Sequence, residues 1–124
     1  MTTQSTGQLG EEIAVSFLKQ HNFEIIERNY RSKRWGEIDI IAIDGDQLVF
    51  VEVKTRVGDQ QTAAIESITT HKLQTLMRAG YFFLMEQGQK RALPEALRVD
   101  VVTVEYEDIL SSPVLTHYRN VDLE

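Results

Sequence analysis

Ile38-Asp39-Ile40-Ile41-Ala42-Ile43-Asp44-Gly45-Asp46-Gln47-Leu48-Val49-Phe50-Val51-Glu52-Val53-Lys54 decides the fold. Two runs rich in β-branched and aromatic residues flank Asp44-Gly45, a standard two-residue hairpin signal. With Asp44 and Gly45 as the central turn residues, Ile43 opposes Asp46, Asp39 opposes Phe50 and Glu37 opposes Glu52. Opposed residues share a face and side chains alternate with a period of two. Asp39, Phe50, Glu52 and Lys54 then lie together, with Asp39 and Glu52 as diagonal neighbours. A three-residue loop would shift the register by one and send Asp39 to the other face. Unpaired charge is costly to bury in so apolar a stretch, so the placement of these groups points to chemistry.

The rest of the chain supplies layers around this hairpin. Leu9, Ile13, Ala14, Phe17 and Leu18 recur at about 100° per residue, which predicts a helix over 8–21. Phe23 to Tyr30 reads as a first strand. A short helix is expected over 62–68, and a longer one over 70–87 with Leu73, Leu76, Met77, Gly80 and Leu84 as its stripe. Arg98–Val104 and Val114–Tyr118 read as further strands. The order α-β-β-β-α-β-β predicts a single domain over 1–124, an α/β sandwich with a central mixed sheet flanked by helices.

Composition narrows the function. The 124 residues contain no cysteine, which leaves neither a disulfide framework nor a thiolate zinc site. No run approaches a membrane span and the N-terminus lacks a signal-peptide pattern, so a cytoplasmic protein is expected. Thirteen Lys+Arg against nineteen Asp+Glu give a net charge of −6, an awkward sign for a nucleic-acid binder. Arg28, Arg31, Lys33 and Arg34 nevertheless form a local basic cluster, with Trp35 placed to stack on a base and Arg56 beyond Lys54. The alternative is a solvated loop with its aromatic tucked into the core.

Phosphodiester hydrolysis needs a nucleophilic water, stabilisation of charge on the phosphoryl oxygens and help for the leaving oxygen. A Mg²⁺ or Mn²⁺ held by carboxylates serves all three. Asp39, Glu52 and the Val53 carbonyl are the candidate ligands, with Lys54 to orient the water or stabilise the developing negative charge as an ammonium. The bland alternative for Glu-x-Lys is the polar face of an edge strand or a surface ion pair. On the helical wheel Glu11 falls about 20° from Leu18, at the rim of the apolar face, while Glu12 points away. Glu11 therefore either reaches over the sheet or is a solvated first-turn acid favoured by the helix dipole. Lys72 is expected to snorkel beside its helix stripe. Asp100 is expected to pair with a basic side chain, and His21, His71 and His117 to be ordinary surface residues.

Gly7-x-x-Gly10-Glu11-Glu12-x-Ala14, Arg28-Asn29-Tyr30-Arg31, Gly36-Glu37-Ile38-Asp39-Ile40-Ile41-Ala42, Phe50-Val51-Glu52-Val53-Lys54-Thr55-Arg56, Lys72 and Arg98-Val99-Asp100-Val101-Val102 occur in that order. As a set they resemble the PD-(D/E)xK nuclease superfamily, and more closely its uncharacterised bacterial YraN-type family. Ile38 stands where the superfamily name has proline. The resemblance implies a restriction-endonuclease-like core and a site of Glu11, Asp39, Glu52 and Lys54, similar to archaeal Holliday-junction resolvases. It implies a metal-dependent nuclease acting on DNA, with branched or damaged structures as substrates. A homodimer is one expectation, with Tyr81-Phe82-Phe83-Leu84-Met85 as a surface for it, and a protein partner another. The rival expectations are a nucleic-acid-binding adaptor without turnover, and a structural protein whose charged face is an ion-pair network.

Overall fold

The computed structural model describes residues 5–58 and 61–123. Ser5 starts the first helix, α1 (Thr6–Gln20), by accepting the Gln8 N–H at 3.2 Å while the Gln8 side chain accepts the Ser5 N–H at 3.0 Å. This reciprocal cap satisfies two otherwise orphaned donors and sets the helix start at Thr6, two residues before the expected one. There follow β1 (Glu24–Ser32), β2 (Gly36–Asp44), β3 (Gln47–Val57), a 3-10 turn (Ala64–Ser67), α2 (Thr70–Gln87), β4 (Ala96–Tyr106) and β5 (Val114–Tyr118). The short helix expected over 62–68 is thus a four-residue 3-10 turn.

The five strands form one sheet in the order β1-β2-β3-β4-β5. All neighbours are antiparallel except β3 and β4, which run parallel and are joined through α2. One face packs Ala14, Val15 and Leu18 of α1 against Ile40, Ala42, Val49, Val51, Val102 and Val104. The other packs Leu73, Leu76, Ala79 and Phe83 of α2 against Ile41, Leu48, Phe50, Val99 and Val101. Strands covered on both faces read as near-continuous apolar runs, which is why the central hairpin is so hydrophobic. The architecture is the expected restriction-endonuclease-like α/β sandwich. Among the described residues no helix is long and apolar enough to cross a membrane.

The hairpin register differs from the expected one. Asp44 pairs with Gln47, Ile43 with Leu48, Ile41 with Phe50 and Ile40 with Val51. The central turn residues are therefore Gly45 and Asp46, not Asp44 and Gly45. Gly45 has φ +60° and Asp44 and Asp46 do not share the left-handed region, so glycine leads the turn. The shift is two residues, an even number, so the faces of the laddered residues 40–44 and 47–51 are preserved, whereas Ile38, beyond the ladder, packs on the α2 side with Ile41. Asp39 no longer opposes Phe50, and Glu37 is not laddered to Glu52.

Candidate active site

The β2–β3 ladder ends at Ile40 and Val51, and a side chain takes over from the backbone. Asp39 Oδ2 accepts the Val53 N–H at 2.8 Å, fixing its carboxylate beside Glu52. Glu52 lies on the α2 face, only 8% exposed. Its carboxyl and that of Asp39 are within hydrogen-bonding reach of one another. Burial first, then the hydrogen bond and charge of Asp39, push Glu52 up to about 8, against the opposing pull of Lys72.

Lys72, on the first turn of α2, puts Nζ 3.3 Å from Glu52 Oε2. It is the ammonium that pairs with Glu52, so Lys72 does more than the expected snorkelling beside its helix stripe. Alternation carries Lys54 to the Glu52 face, half-buried and with no ion pair to a described residue. Its in-register neighbour on β4 is the fully buried Thr103, whose hydroxyl meets no described partner.

Glu11 faces the acids rather than bulk water. Burial, then the charge of Asp39, raises its pKa, with Glu37 and Glu12 adding and Arg28 opposing. Asn29 bridges the group: with its amide nitrogen turned inward it donates to Glu11 Oε1 at 2.9 Å and Glu37 Oε1 at 3.0 Å. Asn29 has φ +52°, a left-handed conformation that asparagine tolerates better than most residues. That kink breaks the alternation of β1. Arg28 turns to Glu12 on α1 at 2.7 Å, and Tyr30 turns to Phe83 and Glu86 on α2. Sequence reasoning missed Asn29, although a poor strand former inside a strand was a usable signal.

Glu11, Asp39, Glu52 and Lys54 thus come from α1, β2 and β3 to one end of the hairpin, joined by Glu37, Asn29 and Lys72. Among the described residues no group of three or more His, Cys, Asp and Glu is arranged to hold a metal ion. The oxygen donors that meet closely are two, Asp39 and Glu52. Two hard carboxylates this close together fit Mg²⁺ or Mn²⁺, since Mg²⁺ commonly takes one or two carboxylates and completes its shell with water and phosphate.

The basic residues are dispersed by pairing. Arg28 is held by Glu12, Arg31 by Glu37 at 3.2 Å, and Arg56 donates to the Thr62 carbonyl at 3.0 Å. Lys33 and Arg34 are exposed, and Arg34 stands over Trp35. Trp35 is partly buried against the α2-side core and carries a second guanidinium, that of Arg78.

A sequence profile of the uncharacterised protein family UPF0102 matches residues 10–104. The chain belongs to that family. UPF0102 proteins of Caldicellulosiruptor saccharolyticus and Geotalea daltonii are each 43% identical to it, over 104 and 117 residues. The first alignment covers 84% of this chain and 85% of the relative, the second 94% and 88%. A UPF0102 protein of Herminiimonas arsenicoxydans is 40% identical over 102 residues, 82% of this chain and 78% of its own. The UPF0102 match contains Glu11, Asn29, Asp39, Glu52, Lys54 and Lys72.

The second polar centre of this UPF0102 chain lies on the α1 face. Asp100, 0% exposed, accepts from Arg98 Nε at 2.9 Å and Nη2 at 3.1 Å, from His117 Nε2 at 2.8 Å and from the Asn120 N–H at 2.9 Å. Burial pushes its carboxyl up, but the bonds from His117, Arg98 and Asn120 outweigh that and leave it below the usual range. The expected basic partner of Asp100 is therefore Arg98. His117 is not the surface residue expected: it packs edge-on against Phe17 and Phe23. His21, by contrast, is exposed, with its ring on the Phe17 carbonyl.

Proposed function

We propose that this chain is a divalent-metal-dependent nuclease that hydrolyses phosphodiester bonds in DNA, working in the cytoplasm with Mg²⁺ or Mn²⁺. The observation that carries this reading is the half-buried Asp39 held against the buried Glu52 on β2 and β3, with Glu52 forced up to about 8 by burial and by its neighbour. Such a pair is poorly stable as two bare charges and well suited to a cation. When bound, Mg²⁺ or Mn²⁺ would polarise a phosphoryl oxygen and lower the pKa of a water. Asp39 and Glu52 would hold it, with the Val53 carbonyl as the third expected donor. The Val53 N–H keeps the Asp39 carboxylate oriented. Lys72 neutralises Glu52 and holds it in place, leaving Lys54 to meet negative charge developing on the phosphoryl group. Glu11, bridged through Asn29 to Glu37, is placed to accept a proton from water, its raised pKa bringing it nearer neutrality. Branched or damaged DNA as the preferred substrate, and a homodimer cutting two strands, are extensions of the same reading.

The test is cleavage of a labelled panel of single-stranded, duplex, flap and four-way-junction DNA plus RNA, with Mg²⁺ or Mn²⁺. Cutting that is abolished in Glu52→Ala and falls by about 10²-fold or more in Lys54→Ala is the expected result. A non-catalytic nucleic-acid-binding adaptor is the second reading, favoured by exposed Lys33 and Arg34 on a chain of net charge −6. Binding that is indifferent to metal and to Glu52→Gln, without any cutting by the wild type, would select it.

A further inference from the structure

The β1–β2 turn is more ordered than a solvated loop requires. Ser32 pairs with Gly36 across three loop residues, and Gly36 has φ +83°. This is the three-residue hairpin closed by a left-handed glycine. The buried Ser32 hydroxyl locks it, accepting the Trp35 N–H at 2.8 Å and donating to the Gly36 carbonyl at 3.1 Å. The turn therefore fixes Trp35 inward against the α2-side core and leaves Lys33 and Arg34 outside.

Two guanidinium groups then share one indole. The Arg34 carbon lies 5.2 Å from the ring centre and that of Arg78, on α2, 4.8 Å. They are consequently within 10 Å of each other. Neither they nor Lys33 has a carboxylate partner among the described residues. Elsewhere Arg28, Arg31, Lys72, Arg98 and Arg119 are ion-paired, and the cations that have no ion pair to a described residue, Lys19, Lys54, Arg56, Lys90 and Arg91, are not gathered around an aromatic ring. Glu86, about two turns further along α2, is engaged by the Tyr30 hydroxyl. Attraction to the ring offsets part of the repulsion between the two guanidinium groups, and an anion between them would remove it.

We propose that Lys33, Arg34 and Arg78, organised around Trp35, bind the phosphate backbone of a nucleic-acid strand beside the carboxylate site. This inference rests on the reading of the protein as acting on phosphodiesters, and it says where the grip on the strand lies. An acidic face repels phosphate, so the holding charge has to come from outside it. Trp35 precedes Asp39 by four residues on the same chain segment. Arg78 is about 9 Å along α2 from Lys72, the partner of Glu52. A strand held at Trp35 therefore passes the carboxylates. Guanidinium forks suit phosphate oxygens, which they bind in pairs of hydrogen bonds.

The test is binding of a labelled 20-nucleotide single strand and a 20-base-pair duplex by the full chain in EDTA, so that nothing is cut. Affinity is followed against NaCl concentration, with the emission of Trp35, the single tryptophan, as a second readout. Each lost phosphate contact should lower the slope of log K on log salt by about 0.7 for the single strand and 0.9 for the duplex. Arg78→Gln should lose one such step, Arg34→Gln/Arg78→Gln two, and Arg78→Lys should keep the slope. Lys19→Gln, in the last turn of α1, is the control and should change nothing. Thermal midpoints of the variants separate loss of contact from loss of fold. An unchanged slope in the folded double variant overturns the proposal, as does absence of binding by the wild type. Equal displacement by sodium phosphate at matched ionic strength also overturns it, because the site would then be a general anion site. Failure of the nuclease reading looks different: no cutting in the panel while the slope still responds to Arg34 and Arg78.

Discussion

Glu52 concentrates the cost that the sequence accepts. Its carboxyl is buried, beside a second carboxyl, and raised from an ordinary 4.5 to about 8. A raised acid binds its proton more tightly in the folded state, so its stabilisation is fully present below about 4.5. That stabilisation is lost as pH rises through about 8. In EDTA the wild type should therefore lose stability from pH 5 to pH 8.5, by on the order of 1–4 kcal/mol. Glu52→Gln should lack that component, and chemical denaturation at the two pH values measures the difference. Mn²⁺ should restore stability to the wild type at pH 8.5 and not to Glu52→Gln, because cation binding and proton binding compete for the same oxygens. A wild-type curve identical to that of the glutamine variant would mean that Glu52 does not titrate between those limits. Lys72 shows why this site was only partly legible. Spacing on a helix says which face a lysine takes, and a long flexible stem leaves its head group free to snorkel or to pair. Only the packing of α2 on the sheet brings Nζ to Glu52.

At the level of elements, the helices are held to the sheet by two glycines, and one of them positions the site. A Cβ at Gly10 would sit 1.9 Å from Thr55 Oγ1 and 3.0 Å from its Cβ. Thr55 is short and β-branched, with little freedom to move aside. Gly10→Ala should therefore cost about 1–3 kcal/mol and lift the start of α1 from β3, displacing Glu11. Thr55→Ala removes the nearest atoms and should restore part of the loss. A double-mutant cycle in thermal denaturation would read the coupling, and additive effects would show that the helix accommodates the methyl without Thr55. The elements themselves were legible because the patterns were strong: α2 and β5 fall on the residues that periodicity indicated. The hairpin register was not, because Asp44-Gly45-Asp46 allows glycine to be either central residue of a two-residue turn. The two solutions differ by an even shift, so the closeness of Asp39 and Glu52 was legible even though the register was not. Asn29 escaped for a related reason: a left-handed residue inside a strand reverses the alternation on which the face assignment depends.

At the scale of the molecule, charge is buried in two places among the described residues, with opposite logic. The sheet separates them: Glu52 faces α2, and Asp100, one position away in the parallel β3–β4 register, faces α1. Around Asp100 every oxygen is answered, and Arg98 also reaches Asp44 at 2.8 Å, tying the hairpin and Asn120 to β4. Around Glu52 two acids meet one lysine. The first centre is built for stability and the second holds an imbalance that a ligand can relieve. Asp100→Asn would leave Arg98, 4% exposed, without its buried charge partner, and should cost roughly 3–5 kcal/mol. Because the Asp100 pKa is lowered, its contribution is present above about 3.8 and is lost as pH falls through the folded value. The two centres therefore oppose one another, Asp100 weakening the fold in acid and Glu52 weakening it toward alkali. Metal-free protein should be most stable near pH 4–5, lower than the optimum of about 5–8 usual for proteins. Divalent cation should flatten the alkaline side alone. In Asp100→Asn the acid-side slope should shrink while Mn²⁺ affinity, measured by calorimetry on the folded variant, stays within about twofold of wild type, as expected for sites with no shared partner. A large loss of Mn²⁺ affinity in that variant would show that the sheet transmits the damage from one face to the other.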